Sequence, residues 1–245
     1  MSSRRFAPRL TRGEYWILNS LVEAKVPLAF YRGSDQDFFD LFNRPSHGLT
    51  KDELVLTLLG LFNAGWIVGR AEHEPFEYES DRDRPPPSYP FTPTGEAIRR
   101  VLNVAPVDLN PGARSPDPCV HIGLTAEGGG VWEAFAAPRW ERFLQQIGAW
   151  GDTTLRVVRK EHGQQYARCW AEVDQYDPDA LVWKPVAPFR ATYWKTLPIG
   201  FETRFRANRR FVRRGMSQEE AAEIRTLDDC AMRSSHHLRW WWAWE

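Results

Sequence analysis

Residues 49–70, LTKDELVLTLLGLFNAGWIVGR, decide how the first half of this chain folds. Thr50 followed three residues later by Glu53 is a capping box: the Thr hydroxyl takes the N3 amide and the Glu carboxylate returns to the cap amide. Leu49 and Leu54 stand at the two positions of a hydrophobic staple. Asp52 and Glu53 suit the positive end of a helix dipole. Leu54, Leu58, Leu61 and Phe62 recur at three and four, helical spacing, and Val55 and Leu59 widen that face. Gly65 is the left-handed residue expected after the last turn, with Trp66 folding back toward Leu61. Ile67 and Val68 then begin a strand. The face left for solvent carries Lys51, Asp52, Thr57, Gly60 and Asn63. A helix that reads a DNA major groove usually offers Arg, Lys, Asn or Gln to bases and phosphates. Here one positive charge stands against those of Asp52 and Glu53.

Working toward the N-terminus, residues 1–8 read as a short basic arm. Thr11 and Glu14 form a second capping box, opening a helix whose apolar face is Tyr15, Ile17, Leu18, Leu21 and Val22. Pro27 ends it or starts an extended piece at residues 28–31. Ser34 or Asp35 can cap a second helix with Phe38, Phe39, Leu41 and Phe42. Working toward the C-terminus, an acidic and then proline-rich loop leads to a strand at residues 89–91. Thr92, with Pro93 at N1, caps a helix to Leu102 that buries Ile98, Val101 and Leu102. This order, with Leu58, Leu61, Gly65, Trp66 and Ile67 followed by Phe91, Thr92, Gly95 and Ile98, resembles a winged-helix domain of the MarR- and PadR-like regulators over residues 10–105. The resemblance implies a third helix and a wing that carry positive charge where DNA is bound. In this wing Arg70, Arg82 and Arg84 stand against Glu72, Glu74, Glu77, Glu79, Asp81 and Asp83. That charge argues against DNA.

Residues 103–118, rich in Pro, Gly, Asn and Asp, read as a linker, with 106–118 its core. A mixed α+β domain is then expected over residues 119–245. His121 to Gly128 repeats the plan of Tyr89 to Gly95, strand then Thr cap then Gly, with Thr92 and Thr125 matched 33 residues apart. It predicts a second strand-to-helix unit beside the first domain, with Trp132 and Phe135 on one side of its helix. The glycine run Gly128, Gly129, Gly130 reads as a permissive helix start. A short helix would carry Trp140, Phe143 and Leu144. Residues 153–158 read as a strand, 161–173 as a helix weakened by Gly163, and 190–207 as a hairpin in which Phe201, Thr203 and Phe205 face inward. Ser217 and Glu220 make a third capping box, starting a helix to about Met232.

The chain has 245 residues, 32 basic and 32 acidic, so its formal net charge is zero. A whole-protein positive field for nucleic acid or anionic lipid is absent, though a local patch is not. Cys119, Cys169 and Cys230 are too few and too scattered for a disulfide framework, and Cys169 and Cys230 read as core thiols. No apolar run reaches membrane-spanning length, and no signal peptide is legible. The expectation is a cytoplasmic protein with no membrane contact.

Two constellations stand out as candidate interaction residues. Arg204, Arg206, Arg209, Arg210, Arg213 and Arg214 put six arginines in eleven positions, interleaved with Phe205 and Phe211. They suit phosphates with stacked bases, an acidic protein partner, or ion pairs with acids elsewhere in the chain such as those of the wing. The tail holds Trp240, Trp241, Trp242 and Trp244 among the chain's 12 Trp. It reads either as core cover for its own chain or as anchors in a partner. Cys119 with His121 lacks the further ligands structural zinc needs. No P-loop, G-x-G-x-x-G, G-x-S-x-G or H-E-x-x-H motif occurs. Neither a cofactor, a metal nor a catalytic residue is assigned. The first reading is therefore a non-enzymatic protein–protein interaction module of adaptor, inhibitor or immunity type. The second is a DNA-binding regulator with Arg4, Arg5 and Arg9 as an arm. The third is an enzyme whose site only the fold assembles.

Overall fold

The computed structural model describes residues 9–31, 47–72, 88–103, 119–148 and 151–238. The fold is α+β, with six α-helices and antiparallel sheets among those residues. It divides into two units: Met1–Ala137 with Thr192–Trp194, and Pro138–Ala191 with Lys195–Glu245.

In the first unit, α1 (Arg12–Ser20) and α2 (Lys51–Asn63) both start on complete capping boxes, at Thr11/Glu14 and Thr50/Glu53. The end of α2 is a Schellman turn. Gly65 has φ 71°, its N–H donates to Phe62, and the Trp66 N–H donates back to the Leu61 carbonyl at 3.0 Å. The chain therefore leaves directly into β2 (Ile67–Glu72). Leu54, Val55, Leu58 and Leu61 are buried, while Leu49 packs on Gly13 of α1.

β1 (Val26–Pro27), β3 (Ser88–Pro90) and β4 (Cys119–Leu124) complete an antiparallel sheet in the order β1-β4-β2-β3. The position of β4 moves the domain boundary. The sequence closes the first domain at residue 105 and opens the second at 119, but residues 119–124 pair along the whole of β2, from Ile67↔Leu124 to Glu72↔Cys119. The β4 burial pattern explains this: five of its six residues are buried, as a strand between two neighbours requires. The next helix, α4 (Ala126–Ala136), follows in the same unit. Residues 28–31 form a 3₁₀ turn rather than an extended piece, burying Leu28 and Tyr31.

The helix α3 (Gly95–Asn103) is capped by Thr94, whose hydroxyl accepts the Ala97 N–H at 3.0 Å, rather than by Thr92. On α4, the buried Trp132 and the 47% exposed Phe135 both face α1: Trp132 Nε1 donates to Asn19 at 3.2 Å, and the Phe135 ring lies 5.0 Å from that of Tyr15. Gly128 and Gly129 are close-approach residues, not merely permissive ones. A Cβ on Gly128 would stand 1.9 Å from the Trp66 carbonyl oxygen, and one on Gly129 2.1 Å from the Trp194 ring. Thr192–Trp194 complete this unit's core. The Tyr193 hydroxyl donates to the Leu21 carbonyl at 2.7 Å and accepts the Leu124 N–H. Trp194 donates to the Val22 carbonyl at 2.9 Å and meets Trp132 edge to face.

The second unit is built on the sheet β5-β6-β10-β7: β5 (Leu144–Ile147), β6 (Gly151–Val157), β7 (Lys184–Val186) and β10 (Gly200–Ala207). The expected helix at Trp140 is one 3₁₀ turn, Trp140–Arg142, and the chain then enters β5. The expected hairpin at 190–207 divides between two sheets. Only β8 (Phe189–Arg190) and β9 (Thr196–Leu197) pair with each other, while β10 pairs with β6 and β7.

Two helices pack here, α5 (Lys160–Asp174) and α6 (Gln218–His236), the latter on the Ser217/Glu220 capping box. Tyr166, Ala167, Trp170 and Val173 form the buried face of α5. Gly163 has a packing reason to stand in this helix: a Cβ there would lie 2.3 Å from the Trp183 ring. Trp170 Nε1 donates to Ser235 Oγ at 3.1 Å, and His162 Nε2 donates to the Leu238 carbonyl at 2.6 Å, fixing α6 along α5. Cys169 is half-buried, whereas Cys230 is exposed on α6 and is not a core thiol. Among the described residues no helix is long and apolar enough to cross a membrane.

The expected second helix near Phe38, most of the acidic wing, the linker and the Trp-rich tail lie outside the described residues.

Candidate functional site

The six arginines begin on β10 and continue into the loop that leads to α6. Alternation along β10 sorts them first: Thr203 and Ala207 point into the core, and Arg204 and Arg206 point to solvent. Arg204 folds back on Glu202 of its own strand, 2.9 Å away.

The strand exit is then tied to the end of α5. The Asn208 N–H donates to the Asp174 carbonyl at 2.8 Å, and the Arg210 N–H to the Val173 carbonyl at 3.1 Å. This places Arg209 against the unit's interior. Its guanidinium lies 2.9 Å from Asp228, 3.8 Å from Asp174, and 4.9 Å above the Trp170 ring. Arg210 bonds Glu223 at 2.8 Å and holds that carboxyl below the usual range.

Asp174 is the most confined charge here. Its side chain is 2% exposed, and Oδ1 has no hydrogen-bond partner among the described residues. Burial pushes its carboxyl up to about 6, with Arg209 pulling the other way and Asp228 adding to the rise.

The remaining residues turn outward. Phe211, Val212, Arg213 and Arg214 are all exposed, and Gly215, at φ 89°, turns the chain toward the Ser217 cap of α6. Arg206, Arg213 and Arg214 make no ion pair with another described residue. Arg206 and Arg213, with Gln175, Asn208, Arg209 and Arg210, line an open depression of about 520 Å³. Arg204 and Arg214 are not part of its wall.

The arginine run is thus divided by the fold. Arg204, Arg209 and Arg210 have carboxylate partners within the same unit: Glu202, Asp174, Asp228 and Glu223. Those partners come from β10, the end of α5 and the middle of α6. Their only sequence signal is the acidic spacing along α6. The wing acids beyond Glu72 lie outside the described residues. The tail residues Trp240, Trp241, Trp242 and Trp244 lie outside the described residues.

In the first unit, the charged residues at the start of α2 are engaged within the unit. Lys51 Nζ donates to Asn103, Asp52 pairs with Arg99 at 2.9 Å, and Glu53 is held in the cap. Leu56, which the sequence does not single out, is 65% exposed on the same helix.

No protein-family model, curated protein or solved structure matches this chain.

Proposed function

We propose that this chain is a non-catalytic binding module that works in the cytoplasm by docking onto a partner protein, with an N-terminal winged-helix-like unit as scaffold. The observation that carries the reading is the exposed loop after β10. Phe211, Val212, Arg213 and Arg214 stand side by side at the surface, next to an arginine-lined depression. Arginine and aromatic side chains are the residues enriched in protein interfaces and at their energetic centres. The winged-helix reading draws support from α1, α2, the β2/β3 pair and α3 in that order. The strand β4, inserted between β1 and β2, is an addition to that plan.

A DNA-binding regulator is the second reading, favoured by the three arginines that make no ion pair among the described residues. The α2 face counts against it, since Leu56 stands where a base-reading side chain would be useful and Lys51 is engaged with Asn103.

Affinity enrichment from the organism's own cells, with wild type against an Arg206→Glu/Arg213→Glu double variant, tests the docking reading. A protein enriched by wild type and lost from the variant is expected. Identical protein profiles would overturn it. Fluorescence anisotropy with mixed-sequence duplex DNA at about 50 and 200 mM salt tests the second reading. Binding that collapses between the two salt concentrations would favour DNA.

A further inference from the structure

We propose that the depression beside β10 is a binding site for a dianionic phosphoryl group, held by Arg206 and Arg213. The proposal names what the docking face recognises and rests on that reading only in sharing the face.

The argument begins with charge. Of the four arginines in the wall, Arg210 is matched by Glu223, and Arg209 is matched by Asp228 with Asp174 behind it. Their charges are balanced inside the unit. Arg206 and Arg213 make no ion pair with a described residue, although Asp152 stands opposite Arg206 across the β6/β10 ladder, so the wall carries two guanidinium groups that no carboxylate binds directly. A single carboxylate would neutralise one of them. A phosphomonoester dianion neutralises both, and its three terminal oxygens can accept from two guanidinium forks at once.

The surroundings favour such a guest. The carboxylates of Asp228 and Glu223 are occupied by Arg209 and Arg210, so they do not compete for Arg206 or Arg213. The two backbone bonds from Asn208 and Arg210 to the end of α5 fix the floor between the two free arginines. Gln175 at the rim contributes an uncharged amide that can donate without adding charge. At about 520 Å³ the depression is larger than the phosphoryl group alone, leaving room for the molecule that bears it.

Isothermal titration calorimetry on the full chain, at about 50 mM salt, tests this with three probes: O-phospho-L-serine, inorganic phosphate and succinate. The phosphoryl probes are expected to bind, and Arg206→Gln and Arg213→Gln are each expected to weaken them by about tenfold or more. Arg168→Gln, outside the wall and paired with Asp179 at 3.0 Å, is expected to leave them unchanged. Phosphoserine binding more tightly than phosphate would identify a phosphorylated partner chain as the source. Equal binding would identify a free phosphate compound, and either result supports the site.

Absence of heat with both phosphoryl probes, equal loss in Arg168→Gln, or succinate binding as tightly as phosphoserine would overturn it. Failure here with partner capture still lost in the double variant would remove the phosphoryl site and leave the docking reading standing. Phosphoryl binding with unchanged partner capture would do the reverse.

Discussion

The Arg209 guanidinium stands 3.8 Å from the buried Asp174 carboxylate, in ion-pair range but beyond a hydrogen bond. Arg209 gives its short contact, 2.9 Å, to Asp228 instead. Asp174 is left confined and poorly compensated, which is why burial wins and its carboxyl rises to about 6.

That rise has a sign. The folded chain holds the Asp174 proton up to about pH 6, while the unfolded chain releases it near the ordinary value of 3.8. Between those values the unfolded state binds fewer protons, so stability falls as pH rises. The contribution is complete below pH 3.8 and gone above about 6, with a ceiling of about 3 kcal/mol. Asp174→Asn is expected to flatten this part of the profile and to be at least as stable as wild type at pH 8. Urea midpoints measured from pH 4 to 8 check it, and an unchanged slope in the variant would contradict it.

Removing the other partner is expected to act in the opposite direction. Arg209→Met keeps an apolar stem over Trp170 but leaves Asp174 buried beside no cation, a loss of roughly 3 kcal/mol. The loss should shrink in the Asp174→Asn background, because the stranded charge is then absent. A double-mutant cycle by urea unfolding at pH 8 reads the coupling. Strict additivity would show that the two side chains do not interact.

In the first unit the glycine run of α4 supplies its own control. Gly128→Ala places a methyl 1.9 Å from the Trp66 carbonyl oxygen, and that backbone is held by the Thr125 N–H at 3.0 Å. The helix must shift, at a cost of several kcal/mol, about 3 or more. Gly130→Ala meets nothing within 4 Å and should be neutral or stabilising by about 0.5–1 kcal/mol through helix propensity. Thermal unfolding of the two variants compares them directly. Equal effects would mean that the close approach at Gly128 does not matter.

Local features were legible in the sequence because their causes are local. Three capping boxes form at Thr11, Thr50 and Ser217, and Gly65 with Trp66 closes α2 through a Schellman turn. The alternation of β10 also reads correctly, since burial of one face needs no knowledge of the partner strand. The cap of α3 lies two residues beyond Thr92 because Thr92 and Thr94 both satisfy the same pattern, and only the Ala97 amide distinguishes them.

What sequence could not convey is non-local pairing. Residues 119–124 read as the opening of a new domain because a linker-like stretch precedes them, yet their apolar pattern is satisfied between β1 and β2. Gly128 and Gly129 read only as a permissive helix start and Gly163 only as a weak point, because the groups that occupy their Cβ positions are remote in sequence. At the candidate site, the crowding of arginine was visible but its division was not. Partners for Arg209 and Arg210 come from α5 and α6, so only the fold separates balanced arginines from Arg206, Arg213 and Arg214.

The most direct test of the docking account is photo-crosslinking with p-benzoylphenylalanine in place of Phe211, carried out in the organism's own cells. Position 211 is 39% exposed at the edge of the arginine-lined depression, so the probe reports on whatever sits there. The account predicts a discrete protein adduct at position 211 that is lost when Arg206 and Arg213 are both changed to Glu. Absence of any adduct at 211, or crosslinking to nucleic acid instead of protein, would contradict it.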